Sequence, residues 1–137
     1  MAVFYDLRLV SLAVLMLASQ LDFAAAVRVF GIRASGLDSD AFGNFPDPFL
    51  KVWCGSAFGG QTEFHNNNNN PTWSAKFNFP NCNRYDNLKL ELWDQDLIYG
   101  EHFGTCVGDL EYGTFSMYCE LHGGKRGTLF FNYELKP

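Results

Sequence analysis

The sequence predicts an all-β protein, an eight-stranded antiparallel β-sandwich. Short alternating or aromatic-rich runs recur about every ten to fifteen residues, and Gly, Asn, Asp and Pro separate them. No stretch keeps a helical period for three turns. Leu88, Leu90 and Leu92 alternate with Lys89 and Glu91, as expected for a strand with one buried and one solvated face.

The predicted strands all follow residue 26. They cover about residues 27–35, 48–54, 60–65, 72–79, 87–93, 103–110, 115–121 and 127–135. The apolar residues in and just after the first strand are expected to lie against the core; they are Val27, Val29, Ala34 and Leu37.

Aromatic residues make up 17% of the chain. Large aromatic side chains are more often buried than used as a ligand platform. The aromatic residues expected in the core are therefore Trp53, Trp73, Trp93, Phe77 and Phe79.

An asparagine run, residues 66–70, precedes Pro71. Asn-Pro initiates turns, and Asn tolerates the left-handed conformation. The run is therefore predicted to turn the chain into the strand that begins at Thr72.

Residues 1–26 have the pattern of a secretory signal peptide. Arg8 precedes an apolar run, residues 9–18, and Ala24, Ala25 and Ala26 offer small residues for cleavage. Such a run is too short for a membrane span, and no stop-transfer run follows, which disfavours an uncleaved anchor. Cleavage after Ala26 would leave one domain, residues 27–137, in a secreted, extracellular protein.

The charge of the predicted mature chain argues against nucleic acid as a partner. Removing Arg8, Asp6 and Asp22 from the chain's 10 basic and 15 acidic groups leaves nine basic and thirteen acidic groups, a formal charge near −4. A nucleic-acid partner would need a basic face.

Four cysteines lie in the predicted mature chain, namely Cys54, Cys82, Cys106 and Cys119. An even number in a secreted chain favours two disulfides over metal thiolates or free thiols. Four cysteines allow three pairings, and spacing alone leaves all three open.

Two acidic clusters lie in loop-like stretches about fifty residues apart. Asp40 and Asp47 form the first, and Asp94, Asp96 and Glu101 form the second. If the fold brings both loops to one end, five carboxylates converge, and oxygen-only ligands suit Ca²⁺. The sequence therefore predicts a calcium-dependent binding module.

Several motifs resemble C2 domains. Pro46-Asp47-Pro48-Phe49-Leu50-Lys51-Val52 resembles the Asp-Pro-Tyr-Val-Lys-Val signature of that family, and Asn70-Pro71-Thr72-Trp73 resembles its Asn-Pro-x-Trp turn. Leu92-Trp93-Asp94-Gln95-Asp96, followed by Glu101 and Gly104, is similar to its third calcium-binding loop. The resemblance covers nearly all of residues 27–137 and implies a β-sandwich with the type II, permuted strand order.

Within the family, the chain is most similar to perforin-type C2 domains. An Asn run before Pro-x-Trp is common to both, as are a Gly-x-Cys strand, here Gly104-Thr105-Cys106, and a Cys-Glu-Leu segment, here residues 119–121. This likeness implies a disulfide between Cys106 and Cys119. The pairing of Cys54 with Cys82 is a separate inference for this chain, since neither has a counterpart in the likeness.

The resemblance implies that the calcium ligands are Asp40, Asp47, Asp94, Asp96 and Glu101. Two departures bear on this set. Asp40 and Asp47 are one residue further apart than is usual, which leaves Asp38 as a rival first ligand. Glu101 stands where Asp is expected, which puts a second or third ion in doubt.

Apolar residues beside the acids are predicted to bind membrane, as the likeness implies; they are Phe42, Phe45, Leu97, Ile98 and Tyr99. The alternative is that Phe45 and Ile98 fold back onto the end of the sandwich. The expected function is calcium-dependent binding to a phospholipid membrane or a microbial surface, in innate immune defence. A calcium-dependent glycan or a protein partner is the alternative.

No catalytic arrangement is evident in the sequence. His65, His102 and His122 have no Ser or Cys at a motif spacing, and no Gly-x-Ser-x-Gly motif occurs. The chain is therefore expected not to be an enzyme.

Overall fold

The computed structural model describes residues 25–40, 42–95, 101–121 and 125–137. These residues form two antiparallel sheets. The strands are β1 (Ala26–Ser35), β2 (Pro48–Cys54), β3 (Ala57–Gln61), β4 (Thr72–Trp73), β5 (Phe77–Phe79), β6 (Asn87–Asp94), β7 (Glu101–Asp109), β8 (Gly113–Glu120) and β9 (Thr128–Lys136). One sheet has the order β4-β1-β9-β8, with β5 also paired to β1, and the other has the order β3-β2-β6-β7. The predicted all-β sandwich is confirmed.

The strand predicted at residues 72–79 is divided into β4 and β5, which is why nine strands are described where eight were expected. Both pieces pair with β1, Trp73 opposite Ile32 and Phe77 opposite Val29. The pairing of β1 with β9 shifts at a bulge between Phe30 and Arg33, where Gly31 has a φ of +63°. A bulge bends the strand and interrupts its ladder, so the partner strand breaks at the same level.

The strand predicted at residues 60–65 begins earlier, at Ala57. A two-residue turn, Gly55-Ser56, joins β2 to β3 and sets Cys54 opposite Ala57. Gly55 has a φ of +56°, as such a tight hairpin turn requires. The two glycines at residues 59 and 60 therefore lie within the strand and do not separate it from β2.

Alternating residues of both sheets form the core. Leu88, Leu90 and Leu92 are buried, as predicted. The predicted core residues of β1 and the following loop are also buried, and so are Trp73, Phe77 and Phe79. The expectation for Trp53 and Trp93 was wrong. Both are half-buried on the outer face, where Lys89 lies 4.4 Å from the Trp53 ring centre and Lys51 lies 4.5 Å from that of Trp93.

The antiparallel pairing gathers four connections at one end of the sandwich. They are the β1–β2, β3–β4, β6–β7 and β8–β9 connections. Backbone hydrogen bonds join all four. The donors and their carbonyl acceptors are Leu37 to Asn69, Asn68 to Pro46, Asp38 to Arg126 and Gln95 to Asp47. We call this end the loop end; its described residues are 36–40, 42–47, 62–71, 95, 121 and 125–127.

Two disulfides cross-link the sandwich. Cys54 pairs with Cys82, and Cys106 pairs with Cys119, each with Cα atoms 6.1 Å apart. These are the pairings favoured from the sequence. Cys106 and Cys119 belong to β7 and β8, the edge strands of the two sheets, so this disulfide joins the sheets along one flank.

The described residues include no helix that is long and apolar enough to cross a membrane. The predicted signal peptide falls almost entirely outside the described residues. Its cleavage after Ala26 stays a prediction, and β1 begins at Ala26 itself.

Replacing Cys54 and Cys82 together by Ala should destabilise the domain by about 3–4 kcal/mol, because the disulfide closes a loop of 28 residues and restricts the unfolded chain. Urea unfolding of the oxidised variant and the oxidised wild type would measure the difference. The shorter Cys106 to Cys119 loop, of 13 residues, should contribute about 3 kcal/mol. Equal unfolding midpoints for wild type and either double variant would contradict a role for that disulfide in stability.

Candidate functional site

Asp47 lies at the junction of three connections of the loop end. Its N–H donates to Asp94 Oδ1 at 2.8 Å, and its carbonyl accepts from Gln95 N–H at 2.8 Å. Its own Oδ1 accepts the N–H of Asn67, also at 2.8 Å. Buried prolines on both sides, Pro46 and Pro48, restrict the backbone and hold this carboxylate in place.

Asp94 and Glu101 face each other across β6 and β7. Asp94 is the last residue of β6 and is the partner of both Pro48 on β2 and Glu101, the first residue of β7. A shift in register between Leu92 and Trp93 precedes this pair. The structure therefore brings Asp47, Asp94 and Glu101 together at the loop end.

Asp40 organises the loop that precedes Asp47. Its Oδ1 accepts the N–H groups of Phe42 and Asn44, and its Oδ2 accepts the Asn44 side-chain amide. The bonds from Asn44 are the main cause that lowers the pKa of Asp40 below its ordinary value. Asp38, the rival first ligand, instead bonds the β8–β9 connection, because its Oδ2 accepts the Arg126 N–H at 2.7 Å.

The surroundings of Asp94 oppose its negative charge. Burial raises the pKa of Asp94 above its ordinary value, and repulsion by Asp47 and Glu101 raises it further. The hydrogen bond from Asp47 N–H and the positive charge of Lys125 offset only part of this effect. A carboxylate held in such surroundings is typical of a functional site, where a bound cation would relieve the repulsion.

Lys125 is a residue of the loop end that the sequence analysis missed. Its Nζ lies 3.0 Å from Glu101 Oε2, and its charge also attracts Asp40 and Asp94. A signal was available in the sequence, since Lys125 and Arg126 stand among glycines just before the last strand, at the end where the carboxylates were expected.

The described carboxylates do not form a closed metal cage. Among described residues, the one group of three possible ligand atoms within 4.8 Å of one another is Cys54, Cys82 and Asp86. The two cysteines of that group form a disulfide, which removes them as metal ligands. The predicted ligand Asp96 lies outside the described residues, as do the predicted membrane-binding residues Leu97, Ile98 and Tyr99.

The other two predicted membrane-binding residues are exposed at the loop end. Phe42 is 92% exposed, and Phe45 is 50% exposed. Phe45 therefore keeps half of its surface in solvent and does not fold fully back onto the sandwich.

The asparagine run supports the acidic loop as well as turning the chain. Asn67 has a φ of +48°, the left-handed conformation expected for this run, and it presents its N–H to Asp47. Asn70 Oδ1 accepts the Gly36 N–H at 2.8 Å. The run therefore links the β3–β4 connection to both ends of the β1–β2 connection.

Asn67→Ala should lower the free energy of unfolding by about 1 kcal/mol, because a β-carbon makes the left-handed conformation unfavourable for residues other than Asn, Asp and Gly. Asn67→Gly, which keeps the N–H and tolerates this conformation, is the matched control and should stay close to wild type. Urea unfolding of both variants would test this, and equal destabilisation would show that the Asn side chain matters more than the backbone conformation.

Comparison with known proteins identifies the family. A family model described as "C2 domain" matches residues 25–125. Mouse perforin-1 is 33% identical over 115 residues, and human perforin-1 is 32% identical over 118 residues; these cover 79% and 82% of this chain. The chain spans only about a fifth of the length of these relatives, 19% and 20%.

Solved structures agree with this result. A structure described as that of a C2 domain has a TM-score of 0.78 and 34% identity, and the match covers 82% of this chain and 99% of that one. The C2A domain of plant extended synaptotagmin 1 has the same fold, with a TM-score of 0.71 at 23% identity over 83% of this chain and 95% of that one. The calcium-bound C2A and C2B domains of extended synaptotagmin 2 match with a TM-score of 0.70 at 20% identity over 82% of this chain and 45% of that one. With the family model and the identity to perforin-1, these matches show that the chain belongs to the C2 domain family.

Proposed function

We propose that this chain is a secreted C2 module that binds phospholipid membranes when calcium is bound at its loop end. The observation that carries the proposal is the direct hydrogen bond between Asp47 and Asp94, with Glu101 opposite and the exposed Phe42 on a neighbouring connection. A C2 domain is typically a binding module without catalytic activity, which agrees with this function.

The side chains present suit a calcium ion. The donors are carboxylate oxygens from separate connections, which Ca²⁺ accepts in flexible numbers and geometries. Asp40, Asp47, Asp94 and Glu101 would hold the ion, together with Asp96. Bound calcium would supply positive charge and open coordination positions for phosphate oxygens.

The charges of the loop end explain why calcium would control membrane contact. Without calcium, the grouped carboxylates repel anionic headgroups, and Lys125 balances part of their charge. Neutralising them removes the repulsion and lets Phe42 and Phe45 approach the interface. Extracellular modules of this kind bind calcium at about 10⁻⁴–10⁻³ M, which suits a secreted protein.

The biological setting is proposed from the likeness to perforin-1. The two perforins extend far beyond the matched region, so their activity as whole proteins does not pass to this chain. A C2 module of this kind would attach to a microbial or parasite surface in innate defence, and it would mark or agglutinate that surface.

Asp94→Asn should abolish calcium-dependent sedimentation with phospholipid vesicles and yet raise the melting temperature in chelator at neutral pH. Asn keeps the Oδ1 acceptor for Asp47 N–H but removes a charge that the fold disfavours. Because the pKa of Asp94 is raised in the folded state, protonated Asp94 stabilises the fold. This contribution is full below the unfolded pKa and is lost as pH rises through the folded pKa. The gain from Asn should therefore vanish in acid.

Asp109→Asn is the matched control, because Asp109 carries the same charge but ends β7 at the opposite end of the sandwich. It should sediment with vesicles as wild type does. Unchanged calcium-dependent binding of Asp94→Asn to vesicles would contradict the proposed mechanism. Calcium uptake without vesicle binding by the wild type would instead indicate a glycan or protein ligand.

Phe42→Ala combined with Phe45→Ala should weaken vesicle binding about tenfold or more at saturating calcium, because each ring loses part of the roughly 1.5–3 kcal/mol that burying it would give. Calcium affinity in solution, measured by calorimetry, should stay unchanged. Tyr85→Ala is the control, since Tyr85 is 78% exposed but lies in the β5–β6 connection at the other end. A specific role for the loop-end rings would be refuted if the double variant lost vesicle binding and calcium affinity alike and Tyr85→Ala lost vesicle binding equally.

A further inference from the structure

Lys125 lies beside the acidic residues of the loop end. Its Nζ lies 3.0 Å from Glu101 Oε2 and 5.1 Å from the centre of the Phe103 ring. The side chain is 23% exposed, compared with 72% for Lys136, whose ion pair with Glu134 lies at the opposite end. Lys125 is thus more enclosed than an ordinary surface lysine.

The charge of Lys125 acts on more than one of the acids. It attracts Asp40, on the β1–β2 connection, and Asp94, at the end of β6, as well as Glu101. A single ammonium therefore balances carboxylates from separate connections, which is also the role proposed for calcium. Among the ion pairs of the described residues, this is the one that involves a proposed calcium ligand.

Two cations cannot both occupy the same face of these carboxylates. An ammonium and a divalent ion repel each other, and each is attracted by the same oxygens. For calcium to bind both oxygens of Glu101, the Lys125 ammonium has to leave its 3.0 Å contact with Oε2. The side chain is long enough to do so, because the lysine ammonium is carried on a flexible four-carbon stem.

We propose that Lys125 is a built-in counter-ion, which balances the acidic loop end without calcium and competes with calcium for Glu101. This inference rests on the proposed function, because it assigns a residue that regulates the same site. The competition lowers calcium affinity and keeps the loop end stable in calcium-free surroundings.

Lys125→Met tests the proposal, since Met keeps an apolar stem to pack against Phe103 and removes the charge. Calorimetric titration of the secreted protein with calcium should give a dissociation constant about five- to twentyfold lower than wild type, as expected for removing one close, partly screened charge. Lys125→Arg should stay near wild type, because it keeps the charge. Lys136→Met is the control and should leave calcium affinity unchanged.

A second measurement does not require calcium. In chelator, Lys125→Met should melt at a lower temperature than wild type, because the carboxylates lose their counter-ion, and the rise in melting temperature on adding calcium should be larger. Lys136→Met should show neither change.

The outcomes separate this inference from the proposed function. Calcium affinity within twofold of wild type in Lys125→Met, with unchanged melting in chelator, would overturn the counter-ion role and leave the proposed function in place. Calcium uptake by Lys125→Met alone would support the counter-ion role in its strongest form. No uptake by either protein at several millimolar calcium would overturn both.

Discussion

The loop end depends on the hydrogen bonds around Asp47. This residue lies between two buried prolines, so its backbone cannot adjust without disturbing β2. It joins the start of β2 to the end of β6 through Asp94 and Gln95, and to the β3–β4 connection through Asn67. Connections distant in sequence thus share one residue, through its backbone N–H, its carbonyl and its carboxylate. If Asp47 moved, the β1–β2 connection would lose its hydrogen bonds to Asp94, Gln95 and Asn67.

This arrangement has a cost in free energy that the rest of the sandwich must offset. Asp94 is partly buried beside two other acids, and its raised pKa records the unfavourable electrostatics. Lys125 and the Asp47 N–H reduce that cost without removing it. The core and the two disulfides stabilise the fold and so offset the repulsion between carboxylates at the loop end. The proposed site and the residues that stabilise the fold therefore lie in different parts of the same sandwich.

Much of the fold could be predicted from the alternation of apolar and polar residues and from the residues that form turns. The alternation of residues 88–92 gave the correct buried face, and extending it by one residue places Trp93 outward, so the expectation that Trp93 is buried conflicted with the pattern itself. The division of residues 72–79 could not be predicted, because its cause is a bulge at Gly31 on another strand. Asp47 and Asp94 were proposed as ligands from the two acidic clusters and from the C2 resemblance. The glycine-rich stretch around Lys125 gives its position in a loop, but its contact with Glu101 is long-range and no local pattern contains it.

The disulfide between β7 and β8 has a consequence for how the folded domain meets its neighbours. β8 is an edge strand of eight residues, Gly113–Glu120, and it has no Lys, Arg or Pro to deter pairing with another chain. Tyr118 and Phe115 on this strand are both exposed. Because Cys119 is tied to Cys106 on the other sheet, the strand is held to its own sandwich at a covalent point. The disulfide thus opposes exchange of this strand between molecules, and reduction would remove that covalent constraint.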